Sequence, residues 1–241
     1  MDSLKQYITD LRNDNLVLQW FLERFELNLD EEIKLSEKIT GTNLPPSFLW
    51  SMVKVYDSPE TFDARQFENN SLESILYYLK KTHQYYLDFK LVQVEGVINS
   101  WADGNENAIS FCFYRFFVNY RQKLKDHIAQ EEEILFPYIE SLLKLNAGEK
   151  VDPEVLLRGK ISLINFLLEH DHEIEDELTK FAEVLAKLEN DLKDSMAYRS
   201  FLIQIQTFEK DLAIHARMEE EVLIPKAIRL ESSVLDGLYL A

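Results

Sequence analysis

Two phrases of one pattern, HIAQEEEILFP from His127 to Pro137 and HARMEEEVLIP from His215 to Pro225, stand 88 residues apart. Each places a glutamate four residues after a histidine: Glu131 after His127, and Glu219 after His215. On a helix, residues four apart are neighbours on one face, about 6 Å along the axis. Each phrase therefore presents an imidazole and a carboxylate toward the same point. The chain has five histidines, and four of them, His83, His127, His170 and His215, follow at intervals of 44, 43 and 45 residues. In an antiparallel helical array, such even spacing sets one histidine per helix at a similar height. The longer spacings, 87 from His83 to His170 and 88 from His127 to His215, describe a helix pair used twice, with pseudo-two-fold symmetry about a central site.

That donor set suits a metal. A lone inward histidine is commonly a hydrogen-bonded core residue, but a buried glutamate is costly unless it is paired or bound to a cation. Four imidazoles and two carboxylates in register fit a pair of first-row transition ions better than calcium or magnesium, which prefer oxygen ligands. A chain with a single cysteine has no set of thiolate ligands to offer, which argues against structural zinc. Two symmetrical carboxylates can bridge two ions and share their charge, so a dinuclear non-haem iron centre is the natural candidate, with other first-row metals possible. The competing reading is a metal-free helical scaffold with a buried His/Glu network. Glu132, Glu133, Glu220 and Glu221 turn away from the shared face.

The elements that must position these groups are long helices. From residue 70 a helical pattern runs to Trp101, opened by Asn70 and Glu73 as a capping box and broken by ADGNEN. A second runs from about Glu106 to Leu145 and closes at NAG. A third starts near Asp152-Pro153, or later because of Gly159, and ends around Lys193; a fourth covers about Ser195 to Leu230. Apolar residues at steps of three and four mark the inward faces. They run Leu72, Leu76, Leu79, His83, Tyr86, then Phe113, Phe117, Tyr120, Leu124, His127, Glu131, Leu135, Tyr138. The third stripe is Leu163, Leu167, His170, Ile174, Leu178, Phe181, Leu185, and the fourth is Leu202, Ile205, Phe208, Leu212, His215, Glu219, Val222. His172, two residues from His170, falls on the opposite face and is expected to be exposed. Short polar links between four such helices predict an all-α, up-down-up-down four-helix bundle over residues 70–241.

Residues 1–69 read as a small N-terminal helical segment, with helices through SLKQYITDLRNDNLVLQWFLERF, DEEIKLSEKI and PPSFLWSMVKVY, then a linker DSPETFDARQFENN. Its aromatics Trp20, Phe21, Phe25, Phe48 and Trp50 are expected in the core of a helical cap or its contact with the bundle. The stretch FCFYRFFVNY has apolar residues to spare, enough to receive the N-terminal helices or a second subunit in a homodimer.

Composition narrows the classes. The few glycines and prolines, six of each, favour helices over turns, and a formal charge of −17 disfavours nucleic-acid binding, which needs a basic face. The N-terminus lacks the pattern of a signal peptide, and the most apolar run, ISFCFYRFFV, is too short to span a bilayer and is broken by Arg115. A cytoplasmic protein without membrane association is expected. The single cysteine, Cys112, cannot form an internal disulfide, fits a reducing compartment, and reads as a small core residue. No glycine loop that would cradle phosphate and no Ser/His/Asp arrangement is assignable, which leaves hydrolase and nucleotide-dependent functions without support.

The segments LKKTHQYYLDF, HIAQEEEILFP, LLEHDHEIED and HARMEEEVLIPKA, in this order and spacing, resemble the hemerythrin-like cation-binding proteins, in particular the repair-of-iron-centres family, also called regulators of cell morphogenesis and NO signalling. The likeness covers about residues 70 to 230. It is weaker toward the oxygen-carrying hemerythrins, whose third helix has a His-x-x-x-His pair where this chain has Ile174 four residues after His170. The resemblance implies a bridged di-iron centre in which His83 and His127 bind one iron, His170 and His215 the other, and Glu131 and Glu219 bridge. It further implies a role in restoring iron–sulfur centres damaged by nitric oxide or peroxide, with iron–sulfur proteins as partners, or else binding of nitric oxide or oxygen as a sensor or scavenger. One departure is plain: ELNLDE stands where the family's N-terminal module has its Cys-Cys-Gly-Gly turn, so thiol-assisted chemistry does not carry over.

Overall fold

The protein is described by a computed structural model, which covers residues 15–27, 44–104, 108–156, 173–192 and 196–239. Among these residues every regular element is helical. The described helices ahead of the long ones are α1 (Leu16–Arg24) and α2 (Pro46–Asp57). The first long helix is α3 (Leu72–Tyr85) continued by a π-helical turn (Tyr86–Lys90) into α4 (Leu91–Gly104). The second is α5 (Ala108–Gln130), a π turn (Glu131–Leu135) and α6 (Phe136–Asn146). The third is described as α7 (Glu173–Leu192). The fourth is α8 (Met196–Arg217), a π turn (Met218–Leu223) and α9 (Ile224–Tyr239), which carries it nine residues beyond the expected end at Leu230. The architecture is the expected all-α four-helix bundle with a small N-terminal helical segment.

The chain divides into two compact units, one of residues 1–82, 130–170 and 214–241, the other of residues 83–129 and 171–213. The first unit has an aromatic core shared by α1, α2 and α3. Phe25 stacks on Tyr78 at 5.9 Å between centroids and Phe21 on Tyr56 at 4.7 Å, while Phe48 meets Phe67 at 5.5 Å. Trp20, Phe21, Phe25 and Phe48 are buried, and Trp50 is half-buried beneath the Lys54 ammonium at 5.0 Å. Inside this core lies a polar network. Arg24 Nη1 donates to the Tyr56 hydroxyl at 3.2 Å and to Thr82 Oγ1 at 3.0 Å, the Tyr56 and Tyr78 hydroxyls are 2.9 Å apart, and Thr82 donates to the Tyr78 carbonyl. A buried guanidinium requires such partners, because an unpaired charge in the core costs several kcal/mol.

Local chemistry sets the ends. Asn15 caps α1 by accepting from the Leu18 amide at 3.0 Å, and its own amide reaches the Tyr56 carbonyl. The other end of α1 closes through a left-handed residue, Glu26 at φ 54°, with the Leu27 amide on the Leu22 carbonyl and the Glu26 amide on the Glu23 carbonyl. This turn begins the ELNLDE segment; its remaining residues, and the expected helix DEEIKLSEKI, lie outside the described residues. Gly148, at φ 79°, ends α6 in the same manner.

Three expectations are corrected. The cap of α3 is Ser71, whose hydroxyl accepts from the Ser74 amide at 3.2 Å, while Asn70 is buried and gives its carbonyl to Lys226. The supposed linker is packed: short 3-10 turns at Pro59–Thr61 and Ala64–Phe67 bury Phe62 and Phe67, and Arg217 holds the first turn through the Pro59 carbonyl and the face of the Phe62 ring. Cys112 is exposed, because the buried stripe of α5 takes its neighbour Phe113 and leaves Phe111 and Cys112 outside.

The second unit centres on Trp101, whose ring meets Phe113 at 5.7 Å and Tyr198 at 5.4 Å, with Phe116 stacked on Phe181 at 3.9 Å. Lys123 pairs with Glu177 at 2.9 Å, and Arg121 pairs with Glu95. The inward stripes of α5 and α8 are buried at Phe117, Tyr120, Leu124, Leu202, Ile205, Phe208 and Leu212. In the third helix Leu178, Phe181 and Leu185 are buried, whereas Leu163, Leu167, His170 and His172 lie outside the described residues.

Candidate metal centre

The π turns fall where the chemistry is. Among the described residues the helical ladder changes from bonds four residues back to bonds five back at three places: the Leu91 amide reaches Tyr86, the Phe136 amide reaches Glu131, and the Ile224 amide reaches Glu219. Such single turns widen the helix locally and re-aim the side chains they contain, a device frequent at functional sites. In both EEE phrases the proline, Pro137 or Pro225, stands second in the α-helix after the turn. A proline has no N–H to give, so it costs least where the ladder is changing step.

Four of the predicted residues come together there. His83, Glu131, His215 and Glu219 each offer one donor atom, and these atoms lie within 4.8 Å of one another. All four are buried, none more than 4% exposed. His215 Nε2 stands 3.3 Å from Glu219 Oε1, the helical i,i+4 pair that the repeated phrase prescribes. Glu131, His215 and Glu219 belong to the first compact unit, and His83 directly follows that unit's Thr82 in α3. Two imidazole nitrogens and two carboxylate oxygens within this span are a donor set of first-row-metal type, and burial excludes competing water.

The remaining predicted residues are placed differently. His127, one turn before Glu131, is half-buried and is not a member of this group of four. His170 lies outside the described residues. The group therefore joins His83 to His215, whereas the resemblance had paired His83 with His127. Of the other glutamates, Glu132 and Glu220 are half-buried, Glu133 and Glu221 exposed. Glu221 is held by Arg217 at 2.6 Å.

Two features escaped the sequence reading. The π turns leave no trace in apolar periodicity, although the fixed offset of Pro137 and Pro225 from the glutamates was a usable signal. Asp211 is fully buried one turn before His215, while the apolar stripe of this helix runs through its neighbour Leu212 and does not mark it. A carboxylate four residues before a histidine was there to be read.

Residues 74–227, well over half of the chain, match the family model of the hemerythrin HHE cation-binding domain. Among curated proteins the chain is similar to the iron-sulfur cluster repair protein YtfE of Dickeya chrysanthemi (strain Ech1591), 31% identical over 112 residues, which are 45% of this chain and 43% of that protein. The chain thus aligns with less than half the length of this relative. No solved structure matches it. The paired His/Glu phrases, the buried group of His83, Glu131, His215 and Glu219, and the family match over more than half of the chain all point the same way: the chain belongs to the hemerythrin HHE cation-binding domain family.

Proposed function

We propose that the protein holds a dinuclear non-haem iron centre and supports the repair of iron–sulfur centres damaged by nitrosative or oxidative stress in the cytoplasm. The observation that carries the reading is the buried group of His83, Glu131, His215 and Glu219 with donor atoms within 4.8 Å. Two carboxylates buried without a cation would cost several kcal/mol each, and a divalent ion at their focus offsets that cost. His83 and His215 would serve one ion, His127 and His170 the second, with Glu131 and Glu219 shared between them. The second pair rests on the repeat spacing in the sequence.

Bound iron supplies a one-electron redox couple and an exchangeable store of metal. The chain's own contribution is to bury the donors, to orient them through the π turns, and to balance the charge of the ions with two carboxylates. The partial similarity to an iron-sulfur cluster repair protein supports the direction of use, toward iron–sulfur protein partners.

The test is metal content per chain after anaerobic purification, with the optical spectrum before and after air, and with zinc and manganese competition as a control. Two irons per chain with bridged di-ferric absorption, together with recovery of an apo iron–sulfur protein when the loaded protein is added under reducing conditions, is the expected result. A folded protein that takes up no metal on reconstitution would overturn the metal reading. Iron held tightly under reducing conditions, with a spectrum that responds to nitric oxide or oxygen, would replace repair by gas sensing.

A further inference from the structure

We propose that Asp211 is a positioning residue for the metal centre, accepting a hydrogen bond from the ring nitrogen of His83 that faces away from the donor group. The inference rests on the reading of His83 as a ligand and adds to it a residue outside the group of four. Asp211 is completely buried, and so is His83 to within 1%. A carboxylate in that setting needs a partner, and Asp211 has a polar or electrostatic one.

The register of the helices identifies it. Within the second unit the first and fourth long helices run antiparallel: Tyr86 packs edge-on against Phe208 at 5.1 Å, and Lys90 Nζ reaches Gln204 Oε1 at 3.4 Å. Continued three residues beyond Tyr86 and Phe208, one helix backward and the other forward, that register sets His83 level with Asp211. Both belong to this same unit. Lys90, also buried there, bonds Gln93 at 2.7 Å and Gln204, seven residues and about 10 Å of helix from the level of Asp211. His215, four residues after Asp211, turns its Nε2 toward Glu219.

A carboxylate on the far nitrogen does three things for a ligand histidine. It fixes the tautomer so that the near nitrogen keeps its lone pair, it locks the ring's rotation, and it raises the basicity of the donor. The loss of such a partner typically weakens metal binding about 10–100-fold.

The decisive experiment uses the whole chain, first without metal. In nitrogen-15 spectra the His83 ring N–H, assigned by its loss in His83→Gln, is expected as a protected, far-downfield signal that moves upfield in Asp211→Asn and disappears in Asp211→Ala. A signal unmoved in both variants overturns the proposal. Ferrous and cobaltous ions are then titrated against a chelator. Asp211→Asn should bind about 10–100-fold more weakly than the parent, and should cause no further loss in a His83→Gln background. An equal loss in that background, or a loss abolished by His215→Gln instead, overturns the assignment. Should neither Asp211 variant fold, the carboxyl-carbon shift of Asp211 in the parent and in His83→Gln decides: movement supports the pairing, and no movement overturns it. Because the ring-proton readout needs no metal, a failure of the metal reading and a failure of this pairing are distinguishable.

Discussion

Glu131 and Glu219 each stand first in a run of three glutamates, and one residue of displacement separates a buried donor from a half-exposed side chain. A helix turns about 100° per residue, so the neighbours cannot reach the same point without unwinding a turn. Glu131→Ala or Glu219→Ala is expected to weaken metal retention by at least about tenfold, whereas Glu132→Ala or Glu220→Ala should stay within about twofold, read as metal per chain after dialysis against a chelator. Equal effects would refute the register. A different residue, Glu26, shows the cost of a side chain in a left-handed turn, where glycine is the usual occupant. Glu26→Gly is expected to raise stability by about 0.5–1 kcal/mol. It should appear as a higher urea midpoint at unchanged denaturant slope.

Among the elements, the π turns are what distinguish the site helices from ordinary bundle helices. Each lies at a donor or within three residues of one, and each keeps its surrounding helix continuous while altering the direction of its side chains. The N-terminal helices have a separate role. Lacking the cysteine turn, α1 contributes packing, with Phe21 and Phe25 in the aromatic core and Arg24 bonded to Tyr56 and Thr82. Arg24→Met keeps much of the apolar stem and removes the charged donor from two buried hydroxyls. A loss of about 2–3 kcal/mol in guanidinium unfolding is expected. A loss below about 0.5 kcal/mol would show that the network is not integral to the core.

Over the whole molecule, the charge of −17 keeps the surface strongly acidic, and no described helix is long and apolar enough to cross a membrane. On the alkaline side, two buried phenols should lower the stability. Burial, with the Glu175 and Glu177 carboxylates nearby, holds Tyr120 well above the ordinary phenol value of 10.0, and burial with a hydrogen bond to Glu231 raises Tyr138. The unfolded chain ionises these groups near pH 10, before the native protein does. Their contribution is therefore complete below that pH and is lost as the pH rises toward the native values. Unfolding midpoints measured from pH 8 to 11 should fall above about pH 10. The fall should be shallower in the Tyr120→Phe, Tyr138→Phe double variant; an unchanged slope would assign the alkaline limb to other groups.

Periodicity and spacing alone determined the helical class, the four long helices, the inward faces of three of them, and the candidacy of six metal ligands. Those features are repeats along one chain, and a helix converts sequence distance directly into direction. Spacing also placed Glu131 and Glu219, rather than their neighbours, on the histidine side. Other features were decided only by tertiary structure. The union of His83 with His215 depends on which helices adjoin, and the cap at Ser71 on which hydroxyl finds an amide. The exposure of Cys112 depends on which side of an apolar stretch finds a partner. The packing of Phe62 and Phe67 turned an apparent linker into core, and Arg217, more than 150 residues away, secures the turn that leads into Phe62 through the Pro59 and Phe62 carbonyls. The π turns and the burial of Asp211 belong with these: the prolines Pro137 and Pro225 and the Asp211–His215 spacing mark the places in the sequence, but apolar periodicity does not say that the ladder changes step there or that the carboxylate is enclosed.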